Sequence, residues 1–415
     1  MKKLALAAMI SALPLMAQAD TPSMEEMWEL IQSQQAEIKA LKESAATQEA
    51  KLVVTEERLD ITADTVEQVA ANKSAGGAGA SWFENTTIGG YGELHYNNLN
   101  DESNGGGDNT ELDLHRFVLF FGHEFNSKTR FFSELEVEHS IAGDGEEGEV
   151  ELEQAYIEYD YAANHSLKAG VFLVPVGILN ETHEPETFYG VERNPVEKNI
   201  IPTTWWEGGL AFTGRFGEGF SYDATVTSGL DLNDGDGGLN HKVRDGRQKV
   251  SKAAADALAY TGRVKYTGIK GLELGLTGQY QEDLYQDELT NEISATLLEA
   301  HAVWQVEAFT LKALYAQWDI DSDINAVKEG ADEQTGWFVE PSYRINDQWG
   351  VFARYNYFDN LAGADVDGGM KQIDLGVNYW LTETVVFKAD LQDQTPDASG
   401  AKELDGFNLG VGWSF

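Results

Sequence analysis

The chain has 415 residues, a formal charge of −41 at neutral pH and no cysteine. So acidic a chain has no basic surface with which to displace counterions from phosphate, which argues against nucleic acid as a partner. The missing thiols exclude a disulfide framework, thiolate metal sites and a cysteine nucleophile, and 10 Trp, 16 Tyr, 19 Phe and 42 Gly fit poorly with a string of soluble domains.

Residues 1–19, MKKLALAAMISALPLMAQA, place two lysines before an apolar stretch and end on Ala17-Gln18-Ala19. This pattern reads as a secretory signal peptide. No later stretch approaches the roughly 18 uninterrupted apolar residues of a spanning helix. Residues 20–75 read as a coiled-coil oligomerisation segment. Met24, Ile31, Ile38, Ala45, Leu52, Leu59 and Val66 recur every seven positions, followed three residues later by Met27, Gln34, Leu41, Gln48, Thr55, Thr62 and Val69. A sustained heptad with polar members on one seam position is the signature of helices that pair with copies of themselves. The flexible linker, 76–85, opens on the glycine-rich GGAGA.

From there the hydrophobic period becomes two. The last ten residues, GFNLGVGWSF, put Phe407, Leu409, Val411, Trp413 and Phe415 on one face and Gly406, Asn408, Gly410, Gly412 and Ser414 on the other. Similar segments fall at 86–96, 112–125, 129–139, 150–161, 167–176, 205–216, 220–229, 258–267, 272–280, 294–306, 309–318, 335–344, 349–357, 371–381, 385–393 and 406–415. Links alternate strictly: short after each even strand, long after each odd one. That alternation, with strands long enough to cross a bilayer at a tilt, predicts a sixteen-stranded antiparallel up-and-down transmembrane β-barrel over 86–415, preceded by the α-helical coiled coil. An exported barrel of this kind belongs in the outer membrane, among lipid and lipopolysaccharide.

One face of the strands carries aromatic residues near their ends, among them Tyr159, Tyr161, Trp349, Tyr355, Tyr357, Tyr379 and Trp413. Such rings suit the water–lipid boundaries. The other face is charged. Lipid-facing charge at the midplane would cost roughly 2–4 kcal/mol, so Arg116, Glu134, Glu136, Arg215, Arg263, Lys265, Glu299, Glu340, Arg344, Arg354, Lys388 and Asp390 are candidate lumen charges. The interior is expected to be a wet channel.

A terminal Phe415 on an amphipathic strand resembles the end of bacterial outer-membrane porins. The segment AGVFLVPVGILNETHEPETFYGVERNPVEKNIIPTTWWEGGLAFTG, residues 169–214, resembles the phosphate-selective porin O and P family, whose layout spans roughly Ser81 to Phe415. The resemblance implies a homotrimer of barrels, each with its own pore, and anion selectivity. Here the sequence departs from it: the long connections hold 35 acidic against 9 basic residues, and no strand carries a lysine or arginine ladder. Phosphate binding is therefore assigned to no residue. The expectation is a porin for passive diffusion of small hydrophilic solutes and ions with weak cation preference. An anion or phosphate channel, or a barrel that tethers the outer membrane through its coiled coil, are the alternatives.

The connection 177–204 holds Pro185, Pro195 and Pro202 with apolar Phe188, Tyr189, Ile200 and Ile201. Two dispositions are open: a fold into the barrel, or packing at a subunit interface. In the first, Glu181, His183, Glu184, Glu186, Glu192, Arg193, Glu197 and Lys198 are candidate constriction-loop residues. Connection 230–257 reads as a short helix over the mouth or a mobile segment. The acidic runs at 231–236 and 319–323 have calcium-like oxygen spacing but lack the turn glycine and the final glutamate, so they read as solvated loop tips. No G-x-S-x-G elbow or helical His–Glu–His set occurs. No catalytic, cofactor-binding or metal residue is assigned, no cofactor is expected, and the chain is read as not an enzyme.

Overall fold

The computed structural model describes residues 80–101, 103, 107–143, 145–233, 242–286, 292–321, 330–365 and 368–415. The expected signal peptide and coiled coil lie outside them, as do residues 76–79 of the linker; the rest of it holds a helical turn, Ala80–Glu84.

Sixteen strands follow: β1 (Thr86–Asp101), β2 (Asn109–Asn126), β3 (Thr129–Glu138), β4 (Val150–Ala162), β5 (His165–Leu173), β6 (Trp206–Phe216), β7 (Phe220–Thr227), β8 (Ala259–Tyr266), β9 (Leu272–Gln281), β10 (Ser294–Val306), β11 (Phe309–Asp321), β12 (Glu333–Arg344), β13 (Trp349–Asp359), β14 (Met370–Thr382), β15 (Val385–Pro396) and β16 (Leu404–Ser414). Each pairs antiparallel with its sequence neighbours, and β1 pairs with β16 from Tyr91↔Ser414 to Asp101↔Leu404, so the barrel closes. Closure leaves no unpaired strand edge in the membrane. Phe415 finishes the seam, its N–H donating to the Gly90 carbonyl at 2.9 Å while Gly90 N–H returns a bond at 3.1 Å.

The boundaries follow the alternation, with three instructive differences. β1 and β2 extend beyond the expected 96 and 112, so their hairpin is taller. β5 stops at Leu173 rather than 176: Val174 N–H still reaches the Trp205 carbonyl at 2.8 Å, but Pro175 has no N–H to continue the ladder. A short turn such as Gly217–Gly219 works because Gly219 takes φ +82° and a Cβ there would collide with Gly268.

Apolar side chains cover the outer face: Ile88, Leu119, Leu135, Ile157, Leu210, Leu276, Leu298, Leu375 and Leu391 are all exposed on the isolated chain, as lipid contact demands. Aromatic pairs mark the short-turn end, with Trp349 and Tyr379 ring centroids 4.6 Å apart and Phe220 and Tyr266 4.7 Å apart. Trp337 and Tyr355, 5.3 Å apart, lie nearer the long-loop end.

The interior departs from a uniformly wet channel. Val176, Val196, Ile200, Ile201, Trp205, Leu230, Leu232, Val243, Leu284 and Ile293 pack with the inward-facing Leu297, Leu314, Trp318 and Phe338 of β10, β11 and β12 in one buried apolar cluster. Three long connections therefore fold inward against one arc of the wall.

Candidate functional site

Connection 177–204 folds into the barrel, as the first of the two dispositions expects. Asn180 spans the gap where β5 and β6 part: its Nδ2 donates to the carbonyls of Val174 (2.8 Å) and Trp205 (3.0 Å), and its Oδ1 accepts from Trp205 N–H at 2.7 Å. Glu197, in the short helix Val196–Asn199, draws the loop closed. Its carboxylate accepts from the N–H groups of Ile178 (2.6 Å) and Leu179 (2.7 Å) and from Asn194 Nδ2 at 2.8 Å. Burial pushes this carboxyl above its ordinary range despite those bonds.

The loop touches the wall around much of its circumference. On β1, His95 Nδ1 lies 3.0 Å from the Glu192 carboxylate and Asn97 Nδ2 donates to it at 3.1 Å. Although burial opposes it, His95 holds the Glu192 carboxyl well below its usual range. On β2, Arg116 donates to the His183 carbonyl at 3.2 Å. On β8, Arg263 pairs with Glu181. On β11, Trp318 Nε1 donates to the Ile200 carbonyl at 2.9 Å. On β14, Asn378 Nδ2 donates to the Phe188 carbonyl at 3.1 Å, and on β15 Asp390 accepts from Val191 N–H at 2.6 Å. β16 meets the loop through Ser414 and Glu186. Side chains added at Gly410 and Gly412 of β16 would run into Val191 and Pro185. The small lumen-facing residues of the last strand thus leave room for the loop.

The candidate lumen charges mostly sit in networks. Arg116 pairs with Glu93 at 2.5 Å. Arg354 pairs with Glu340 at 3.2 Å and Asp374 at 3.0 Å. Arg263 also holds Asp223 at 2.7 Å, and Lys265 faces Glu273 at 3.8 Å. Glu299 is bonded to His301 at 2.7 Å. Lys388 Nζ lies 3.5 Å from the Phe188 ring centroid, and the Arg344 guanidinium 3.5 Å from that of Trp380. Arg215 is exposed at the short-turn end. Glu134 and Glu136 are buried against the loop side of β3. Of the loop residues, Glu197 is turned into the loop's own backbone and is no rim charge. Arg193, Lys198 and Glu192 do face open space. Glu184 gives its carbonyl to Thr187 at 3.0 Å.

That space is a cavity of about 310 Å³ between the loop and β1–β4. Glu136, Glu138, Glu149, Glu151 and Glu153 line one side of it; Arg193, Lys198, Arg244, Arg247 and Lys249 come from the loops. Lys249 bridges to Glu149 and Glu151. Connection 230–257 thus supplies a basic edge and, at Val243–Gly246, a single 3₁₀ turn. A second cavity of about 830 Å³ opens at the short-turn end, lined by Lys128, Arg130, Arg215, Arg263 and Lys265 against only Asp160 and Asp223. Among the described residues, neither Lys128 nor Arg215 has an ion-pair partner. No single strand bears a basic ladder, but the barrel gathers these bases from β3, β6 and β8 and the turn before β3.

Glu93, His95 and Glu153 were missed by period-two reading, and for Glu153 the cause is a bulge. Glu134 pairs with Gln154 while Leu135 pairs with Leu152, leaving Glu153 as an extra residue. Strict alternation from Gln154 and Glu158 would send Glu153 to lipid; the bulge turns it inward.

A family model described as phosphate-selective porin O and P matches residues 87–406. An uncharacterized protein of Aquifex aeolicus (strain VF5) is 30% identical over 364 residues, covering 79% of this chain and 80% of that protein. The outer membrane channel DcaP of Acinetobacter baumannii aligns with a TM-score of 0.56 at 11% identity, over 80% of this chain and 97% of that one. Salmonella typhi OmpF, in complex with daunomycin, gives 0.56 at 15% identity over 80% and 97%. An anion-selective porin from Comamonas acidovorans gives 0.52 at 15% identity over 80% and 99%. At such identities the structural likeness speaks for the fold.

Proposed function

The chain belongs to the phosphate-selective porin O and P family, a porin-type outer-membrane channel for small solutes, and from that premise we propose that loop 177–204 narrows its pore and sets what passes. The observation that carries this reading is the ring of wall contacts from β1 to β16 made by one loop. The apolar cluster against β10–β12 supports an eccentric pore, pushed toward the β1–β4 arc. Passage then runs between carboxylates on β3 and β4 and the bases of the two inner loops. Opposed charges across a narrow gap make a transverse field, which orients dipolar solutes and excludes apolar ones.

Weak cation preference is our reading of the net balance. Acidic residues dominate the external connections, so cations are concentrated at the mouth before they meet the mixed constriction. A second reading is favoured by the basic short-turn cavity: it supports anion preference, as the family's description suggests, if that end limits the flux. Reversal potentials of the protein in planar bilayers under a KCl gradient decide between them. A cation-signed potential supports the first reading; an anion-signed one refutes it, and competition by added phosphate would then identify the second. We further propose a homotrimer, joined through residues 20–75. Deleting that segment should abolish the trimer on native gels while leaving single-barrel conductance. Loss of an envelope phenotype without loss of conductance would instead favour the tethering role.

A further inference from the structure

We propose that Glu134, Glu153 and His183 form a binding site for one divalent transition-metal ion, such as Zn²⁺ or Mn²⁺, that ties loop 177–204 to the wall at β3 and β4. The three side chains come from three separate segments and bring one ligand atom each to within 4.8 Å of the others. His183 Nε2 lies 3.6 Å from Glu134 Oε1 and 3.7 Å from Glu153 Oε2. Those gaps are too long for good hydrogen bonds. They suit a shared ion: two metal–ligand bonds of about 2.1 Å at the tetrahedral angle hold ligand atoms about 3.4 Å apart.

The orientation of each group fits a ligand role. His183 Nδ1 donates to the Asn180 carbonyl at 3.0 Å, which fixes the ring and directs the Nε2 lone pair at the carboxylates. His183 is 3% exposed, and its Nε2 and Glu153 Oε2 are both buried without a hydrogen-bond partner. Gln154 Nε2 holds the other oxygen of Glu134 at 2.7 Å. The bulge that turns Glu153 inward puts an extra carboxylate beside Glu134, at a sequence position where an unbroken ladder would have none. Arg116 is engaged by Glu93, and among the described residues neither Arg116 nor Arg193 forms an ion pair with Glu134 or Glu153, whose one ion-pair partner is His183, so two buried carboxylates face a single imidazole. Glu153 also lines the 310 Å³ cavity, which gives an ion a route in. One imidazole with two carboxylates matches borderline divalent ions better than Ca²⁺ or Mg²⁺, which take all-oxygen shells.

Full-length protein extracted from outer membranes is stripped with chelator, exposed to Zn²⁺, desalted and assayed for zinc per chain. Wild type should retain about one equivalent; Glu153→Gln and His183→Asn should each lose it; Glu149→Gln, in the acidic cluster at the mouth, should keep it. Retention in the first two variants, loss in the third, or no retention in wild type overturns the site. The last outcome would mean that a proton on Nε2 bridges the carboxylates instead. X-ray absorption at the zinc edge of the wild type needs no variant. One nitrogen and two or more oxygens at about 2.0–2.2 Å are expected, and an all-oxygen shell refutes the assignment.

Discussion

Replacing Glu197 by alanine should release loop 177–204 from the wall while leaving the barrel closed. The carboxylate satisfies two backbone N–H groups, of Ile178 and Leu179, at 2.6 and 2.7 Å. Leu179 is buried, and alanine offers neither N–H an acceptor. An orphaned buried donor costs about 1–3 kcal/mol, and Ile178 is only half-buried, so the docked loop should lose at least the Leu179 share, about 1–3 kcal/mol. At about 1.4 kcal/mol per decade, the undocked population rises by at least about 5-fold. Sixteen paired strands do not involve this side chain, so the barrel should still resist SDS and shift on heating. Single-channel recording should show larger conductance with frequent open–closed transitions. Glu197→Gln keeps an acceptor and removes the buried charge, so it should dock at least as firmly as wild type, with the quieter channel of the two at the high-pH end. The pH dependence has a definite sign. Burial raises this carboxyl's pKa above 4.5, so the folded loop binds its proton more tightly than the unfolded one. Its contribution to docking is full below pH 4.5 and is lost as pH rises through the raised value. Channel noise should therefore grow with pH over that window in wild type and stay flat in Glu197→Gln. A quiet, wild-type-sized Glu197→Ala channel would refute the reasoning.

Trp318→Ala removes an indole from the apolar cluster and the bond to the Ile200 carbonyl. The loss should be about 3–5 kcal/mol, read as a lower urea midpoint for loop protection against protease. Gly412→Val would put a Cβ within 2.3 Å of the Pro185 Cβ, so the loop must move; conductance should change while heat-modifiable barrel folding persists. Arg263→Gln strips a buried cation from Glu181 and Asp223; reversal potentials should move toward cations by several millivolts or more, and an anion-ward move would contradict the placement. Replacing Arg244, Arg247 and Lys249 together by glutamine removes the basic edge of the constriction and should shift selectivity in the same cation direction, measured in the same bilayer assay.

Much of this was legible from the sequence, and the reasons are local. A strand crossing between lipid and water must alternate apolar and polar side chains, so GFNLGVGWSF declares both faces of β16 in ten letters. The strict sequence of short and long links fixed the up-and-down topology, because only such a barrel returns every even strand to the same side. The proline and isoleucine content of 177–204 marked it as a loop with packing surfaces. What the sequence could not show depends on residues brought together from afar. Glu153 reads as lipid-facing until the bulge opposite Glu134 and Leu135 turns it inward. The basic short-turn cavity joins Lys128, Arg130, Arg215 and Lys265, which no single strand displays as a ladder. Glu197 looks like one more loop charge, and only the folded loop turns it toward the N–H groups of 178 and 179. By itself, then, the sequence determined the barrel, its strand count and its place in the outer membrane, since the bilayer enforces a periodic pattern on every crossing. The tertiary structure alone decided the shape and charge of the passage. Those follow from where an irregular loop meets a curved wall, and no period encodes that meeting.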